Sequence, residues 1–523
     1  MDATERSRSV WKDDVNLEAP PLEGDATADV CIVGAGIAGL TSAYLLQQSG
    51  AKVIVLDRGS IGGGETAQTT AHLASVMDDR FEELERLFGQ EGARLAYESH
   101  AAAIDKIEEI TRAEGIDCDF ERLDGYLFLG RGQPAEMIAN EHEAALRISF
   151  PGLERLARAP VSSFDTGPCL RFPHQAMFHP MRYMAGLFDA VRRGGGRVYG
   201  GTQVLRVERG QRPVVWTQSG LQVSANAVIV ATNTPINDRF AIHTKQAPYR
   251  TYVVALSVPA GSVPPGLYWD TEDPYHYVRL QRGSHADGSG RDLLIVGGED
   301  HKTGEADDAD ERYARLEAWT RERFTMAGEV RYRWSGQVME PIDGLGFIGE
   351  DPEHARHVYI ATGDSGQGMT HGTIAGMLLG DLIAGRSNPW AELYSPRRKT
   401  LKAAGEFARE NLKVALHYAE WLGRSPVKSA DEVPQGKGAI VQRGLHKVAV
   451  YRDEEGKVHE CSAVCPHLGG LVHWNSEEKA WHCPLHGSRF SPTGEVLGGP
   501  AAQPLGPAPA SADEQTDPVR KAS

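Results

Sequence analysis

A chain of 523 residues with a formal net charge of −16 and ordinary hydrophobic content has room for one large two-lobed core and one small additional domain. The charge disfavours general nucleic-acid binding, although it leaves room for a basic electron-transfer partner. The six cysteines have no disulfide-framework spacing, and the N-terminal extension, residues 1–27, begins with a polar stretch that lacks an apolar core. A reducing cytoplasm is therefore expected, with no transmembrane segment.

The first buried strand is predicted over 28–33. It runs directly into Gly34-Ala35-Gly36-Ile37-Ala38-Gly39, a helix follows through Leu45 and Leu46, and a second strand over 52–56 ends on Asp57. This is the context that GxGxxG requires: glycines for the tight turn and the pyrophosphate approach, a helix N-terminus for phosphate charge and an acid for ribose hydroxyls. A dinucleotide-binding fold is the consequence. Further strands are expected over 125–129, 249–257, 276–280, 293–296 and 329–334, with a helix over 311–324. Phe178, His179 and Pro180 precede a helical run and read as structural.

Alternation along 276–280 places His276 and Val278 on one face and Tyr275, Tyr277 and Arg279 on the other. Arg279 is a candidate bidentate anchor for a substrate carboxylate, against the commoner fate of a surface salt bridge. The acidic stretch 305–311 reads as a solvated loop and helix start. Late in this region the segment 358–364, which carries a late strand and Gly363, precedes Gly366, Gly368 and a helix from Met369, with Thr370 and His371 in its first turn. His371 is either a site residue or a capping and packing histidine. No second GxGxxG follows a strand, so a nicotinamide donor is not expected.

Residues 399–423 repeat apolar side chains at three- and four-residue steps among charges that forbid a membrane span, which predicts a linker helix within 399–427. Then comes the most specific pattern: Cys465-Pro466-His467, fifteen residues, and Cys483-Pro484-Leu485-His486. Two thiolates and two imidazoles on paired short loops suit a two-iron, two-sulfur cluster with one iron held by cysteine and the other by histidine. Structural zinc is the competing reading, but one residue between Cys465 and His467 is tighter than zinc-finger spacing. Residues 507–523 read as a disordered tail.

With Gly469-Gly470, Gly487-Ser488 and Gly498-Gly499-Pro500 flanking the ligands, residues 428–506 resemble the Rieske [2Fe-2S] family. That family's high-potential members carry a disulfide between the loops, whereas Gly470 and Leu485 stand at those positions here. Ser488 matches the family's hydroxyl donor to sulfur, and Phe490 replaces its tyrosine donor. Fewer donors imply a low or middle potential for the family, roughly −150 to +100 mV.

The glycine turns, the strand over 228–233 and the segment from Arg58 to Thr66 resemble the FAD-dependent oxidoreductase family that includes D-amino acid oxidase and glycine oxidase, within a unit spanning 28–398. The resemblance implies an α/β FAD-binding Rossmann-type domain, a mixed-sheet α+β substrate domain and a small all-β Rieske domain. It implies noncovalent FAD held by Gly34, Gly36, Ile37, Ala38, Gly39, Asp57, Arg58, Thr66, Thr70, Val204, Gly363, Gly366, Gly368, Met369 and Thr370. Arg279, His276 and His371 are the catalytic candidates. Cys465, His467, Cys483 and His486 are the cluster ligands. The expected activity is oxidation of a small amine or amino-acid-like substrate, with electrons passing singly to an external acceptor protein. The alternative is an electron-transfer component or redox sensor without its own small-molecule substrate.

Overall fold

The structure is a computed structural model that describes residues 7–13, 15–236, 242–283, 291–353, 356–399, 401–403, 405, 409, 417, 421 and 427–509. Its first sheet is built on strand Ala26–Val33, whose last four residues are buried because both faces of a parallel sheet are covered. This strand pairs in parallel with Val53–Leu56 on one side and with Gln222–Val230 on the other. Val358–Thr362 joins beyond Gln222–Val230, so the late strand returns to the N-terminal lobe across more than three hundred residues. Helices Ile37–Gln48 and Gly368–Ile383 lie against each other. Their close approach needs glycine: a Cβ on Gly372 would sit 3.0 Å from the Ala38 amide, and one on Gly376 would sit 2.7 Å from the Thr41 methyl.

Among the described residues the second sheet has nine strands, with Gln246–Pro259 between Arg291–Lys302 and Val330–Pro341. Helix Ala309–Arg323 buries Tyr313, Leu316 and Trp319 against it. The observed strands extend several residues past the apolar runs that predict them, because ladder hydrogen bonds continue where side chains turn polar. Trp11 of the N-terminal extension is fully buried, donating from its indole to the Thr69 carbonyl at 2.6 Å. That extension is a strap beneath residues 66–71, with Ser9 Oγ donating to the Ala67 carbonyl at 2.6 Å.

The C-terminal unit is all β: a three-stranded sheet, Lys437–Arg443, His446–Arg452 and Val458–Ser462, beside four short strands from His473–Asn475 to Val496–Gly498. Its own core contains Trp474, Trp481 and Phe490. The unit is docked on the larger one. Arg250 forms a buried ion pair with Glu478, Tyr313 donates to Glu477 at 2.5 Å, and Asp307 accepts from the Ser476 amide and hydroxyl at 2.8 and 2.7 Å. The acidic stretch 305–311 is the exposed loop and helix start expected from sequence, and its Asp307 in addition carries a docking contact that only the fold creates.

The C-terminal tail departs from expectation at its start, because Pro507 forms an antiparallel backbone β-bridge with Cys461 and Arg443 donates to the Pro509 carbonyl at 3.2 Å. The rest of the predicted tail and most of the predicted linker helix lie outside the described residues. Within that linker, Trp421 donates from its indole to the Gly469 carbonyl at 3.2 Å. Among the described residues, no helix is long and apolar enough to cross a membrane.

Candidate functional site

A cavity of about 430 Å³ opens where the first sheet meets the second. The glycine turn forms its floor. Gly34 adopts φ +104°, and a Cβ there would overlap the Ala231 carbonyl; a Cβ on Gly39 would overlap the Gly34 carbonyl oxygen, so helix and strand pack only without side chains. The helix beginning at Ile37 has no side-chain cap at Gly36, and its Ile37 amide reaches only the Thr66 hydroxyl at 3.2 Å. Free first-turn amides facing a cavity are an anion site. Asp57 is braced by the Ala35 and Gly59 amides, at 2.7 and 2.8 Å, at the end of the second strand.

Gly36, Ile37 and Ala38 line this cavity with Gly34, as do Asp57, Arg58, Thr66 and Thr70. Val204, Gly366, Gly368, Met369 and His371 line it too. Three predicted cofactor residues sit just behind the wall. Gly39 secures helix to strand, Gly363 turns at φ +74° against Pro341, and the Thr370 hydroxyl lies 2.8 Å from His100 Nδ1. The glycine cradle, the uncapped helix and the braced acid fit a dinucleotide such as FAD.

At the other end, Tyr275 and Tyr277 project into the cavity with ring centroids 5.4 Å apart, and Trp269 is close by. Asp78 accepts from the Tyr275 hydroxyl at 2.7 Å and from Gln367 Nε2 at 2.9 Å, while Glu340 accepts from the Ser365 hydroxyl at 2.7 Å. Asp300 has one buried carboxylate oxygen without a hydrogen-bond partner. Burial pushes Asp78 up to about 7 and Asp300 up to about 6. Burial likewise raises Glu340 well above the carboxylate range, with Asp79 adding like charge.

The catalytic candidates fare differently. His371 lines the cavity; burial and nearby Arg398 lower it to about 4, so its ring is neutral, and Nε2 has no partner. Arg279 shares a face with Tyr275 and Tyr277, as alternation predicts, yet it is completely buried beneath the cavity. Its guanidinium donates to the carbonyls of Ala71 and Phe178 at 3.0 and 3.1 Å and stacks over Trp11 at 5.4 Å. It is a structural post, unavailable to a substrate carboxylate. His276 faces away, with Nδ1 3.0 Å from Asp270 and its ring stacked on Trp319 at 4.4 Å. Both candidacies are corrected by depth and facing, which strand alternation alone does not give.

The four predicted cluster ligands converge. Cys465 and Cys483 are buried side by side and hydrogen-bonded to each other, and the rings of His467 and His486 lie 5.0 Å apart. The Cys465 sulfur also accepts from the His467 and Leu468 amides and the Ser488 hydroxyl, and Cys483 from the Leu485 and His486 amides. Two thiols ringed by donors opposite two imidazoles fit a [2Fe-2S] cluster with mixed ligation. A Cβ on Gly470 would lie 2.5 Å from Leu485, so the positions at which relatives place a disulfide do adjoin here without one. Ser488→Ala removes the hydroxyl donor, and its expected effect is a midpoint potential lowered by about 60 mV, the one-electron equivalent of tenfold. An EPR-monitored redox titration with an unchanged midpoint would refute that role.

Three further residues had no sequence signal. His243 is buried with its ring 4.6 Å from His467 and 4.8 Å from His486, a third imidazole supplied by the larger unit. Glu65 accepts from the Gln337 amide at 2.7 Å and pairs with Arg489 of the cluster unit at 3.2 Å. The Gln337 side chain lines the cavity on one side, while a Cβ on Gly487, next to His486, would lie 2.6 Å from it on the other.

Comparison with known proteins matches both units. A family described as FAD dependent oxidoreductase matches residues 29–382, and one described as Rieske [2Fe-2S] domain matches residues 423–509. The putative Rieske 2Fe-2S iron-sulfur protein YhfW of Bacillus subtilis is 32% identical over 507 residues, 96% of this chain and 98% of that protein. Gamma-glutamylputrescine oxidoreductase of Escherichia coli is 28% identical over 399 residues, 73% of this chain and 90% of the relative. Glycine oxidase from Geobacillus kaustophilus superposes with a TM-score of 0.59 at 18% identity, covering 72% of this chain and 99% of that one.

Proposed function

The chain belongs to the FAD-dependent oxidoreductase family and carries a C-terminal Rieske [2Fe-2S] domain, and from that premise we propose that it oxidises a small amine at FAD and passes the electrons singly through the cluster to an external acceptor protein. The observation that carries this reading is the placement of Gln337, which borders the FAD cavity and touches the loop of a cluster ligand. FAD supplies a hydride acceptor that can release its electrons one at a time. The chain supplies the rest.

The acidic, aromatic end of the cavity favours an ammonium over a carboxylate. Tyr275 and Tyr277 line this end with aromatic side chains, Asp78 and Asp300 offer charge, and Arg279 is committed to backbone carbonyls. An amine without a carboxylate is accordingly preferred over an amino acid. A bound ammonium must lose a proton before the adjacent carbon gives up hydride, and Asp78 and Asp300 are placed to take it. We retain a cytoplasmic location and the unit boundaries 28–398 and 428–506 as part of this reading.

The pH dependence follows from the two carboxylates. A carboxyl raised by burial is neutral below its shifted value, where it neither attracts an ammonium nor accepts its proton. The kcat/KM for an amine should therefore rise with pH through about 6 to about 7 and then level off. Tyr275 and Gln367 lower Asp78 through hydrogen bonds while Asp79 and Asp300 raise it, so Asp78→Asn should remove the upper part of that rise. A pH profile unaffected by Asp78→Asn would count against this assignment.

The direct test is anaerobic reduction with a panel of amines and amino acids, followed by visible absorbance for the flavin and low-temperature EPR for the cluster. Bleaching of the flavin with growth of the cluster signal supports the relay. A cluster that is reduced only by dithionite would overturn it in favour of an electron carrier or sensor.

A further inference from the structure

We propose that the Rieske domain completes the FAD-binding site, closing the adenosine and pyrophosphate end of the flavoprotein cavity with Arg489 and the strip 497–502. FAD is then held between two domains, and each stabilises the seating of the other.

The strip's position is set by contacts on both sides. Leu497, Gly498, Gly499, Ala501 and Ala502 line the same cavity as Gly34, Asp57 and Arg58. Gln203 Nε2 donates to the Ala502 carbonyl at 2.8 Å, and Gln203 immediately precedes Val204, one of the residues expected to hold FAD. A Cβ on Gly498 would lie 3.0 Å from Arg489 Nε and 3.4 Å from Arg58 Nη2, so the strip threads between two guanidinium groups. These contacts place it against Arg58 and against the segment that leads into the strand Val204–Glu208.

Charge and polarity at this end suit the ADP portion of FAD. Arg58 and Arg489 both border the cavity, and Glu65 pairs with Arg489 at 3.2 Å. Together with the uncapped helix at Ile37, Arg58 favours a pyrophosphate dianion, while Arg489, whose two terminal nitrogens pair with Glu65 at 3.2 Å and Glu478 at 3.5 Å, closes the wall beside it. Leu497 is a large hydrophobic side chain left 45% exposed, and it faces this cavity. A purine or ribose lying in the cleft covers it.

The strip is also tied to the cluster. Gly499 has φ +84°, with room for no Cβ beside the Ser488 backbone at 2.5 Å, and the Ala501 amide donates to Ser488 Oγ at 3.1 Å. Ser488 in turn hydrogen-bonds the Cys465 sulfur. One short segment therefore touches the cavity wall and the cluster loop. Because FAD binds only the docked arrangement in this scheme, docking and FAD affinity are reciprocally linked.

The test uses the full-length protein with its cluster. Arg489→Gln should release FAD at least about tenfold more readily on dilution, read by flavin fluorescence, with the EPR signal as the check that the cluster is intact. Independently, hydrogen exchange of wild-type protein stripped of FAD and then reconstituted should show amides of 497–502 exchanging at least about tenfold more slowly with FAD bound. Unchanged FAD retention in an Arg489→Gln protein with an intact cluster would overturn the proposal, as would identical exchange of the strip with and without FAD. If the variant does not assemble its cluster, the exchange comparison decides. Neither readout uses a substrate or an acceptor, so the result stands apart from the fate of the proposed reaction.

Discussion

Gly39→Ala is expected to yield a protein that purifies without bound flavin yet still shows a Rieske EPR signal. The added Cβ overlaps the Gly34 carbonyl oxygen, an atom fixed by the strand that begins the whole sheet. No rotamer relieves a Cβ clash, so helix Ile37–Gln48 must move off the strand, and the amides that face the cavity move with it. Overpacking of this kind costs about 1–3 kcal/mol, and displacing the pyrophosphate-facing helix should weaken FAD retention at least about a hundredfold. The cluster signal should survive because Trp474, Trp481 and Phe490 form a core of their own around the ligand loops. Flavin content measured by absorbance against protein decides it. Wild-type flavin content would mean that the turn is not the dinucleotide cradle.

His486→Ala should separate the two half-reactions. With one imidazole ligand gone, the mixed-ligand cluster cannot form, and its EPR signal should disappear. Reduction of FAD by a substrate amine, followed anaerobically in a stopped-flow instrument, should keep its wild-type rate to within about twofold, since His486 faces His243 and His467 rather than the tyrosine end of the cavity. Turnover with a one-electron acceptor should fall at least about a hundredfold, an effect no smaller than losing a group that merely orients a metal ligand. Sustained turnover without a cluster would show that reduced FAD hands its electrons out directly, and the relay would be wrong.

The two motifs were legible for one physical reason: their chemistry is local. Cys465 with His467 and Cys483 with His486 each lie within one tight turn, and the amides that hydrogen-bond the sulfurs belong to the same turns. The glycine turn likewise carries its requirement in its own backbone, at Gly34 and Gly39. Ser488 could be read as a sulfur donor because it follows the second loop directly.

Local pattern was thus enough for the pair of cofactors, for the strands and helices that begin each site, and for sorting Tyr275, Tyr277 and Arg279 onto one face and His276 and Val278 onto the other, but not for which face meets the cavity, since both are buried. Depth and facing came from packing between distant segments. Tyr275 and Tyr277 reach the cavity, whereas Arg279, two residues on, is roofed by the carbonyls of residues 70–71 and floored by Trp11 from the N-terminal strap. The substrate-end acids, Asp78, Asp300 and Glu340, come from three separate stretches of chain and meet only through sheet register and loop packing. His243, Glu65, Gln337 and Arg489 are joined across the two units in the same way. Period-two alternation assigns a side chain to a face, but burial and partners depend on residues hundreds of positions away, and no local pattern encodes them.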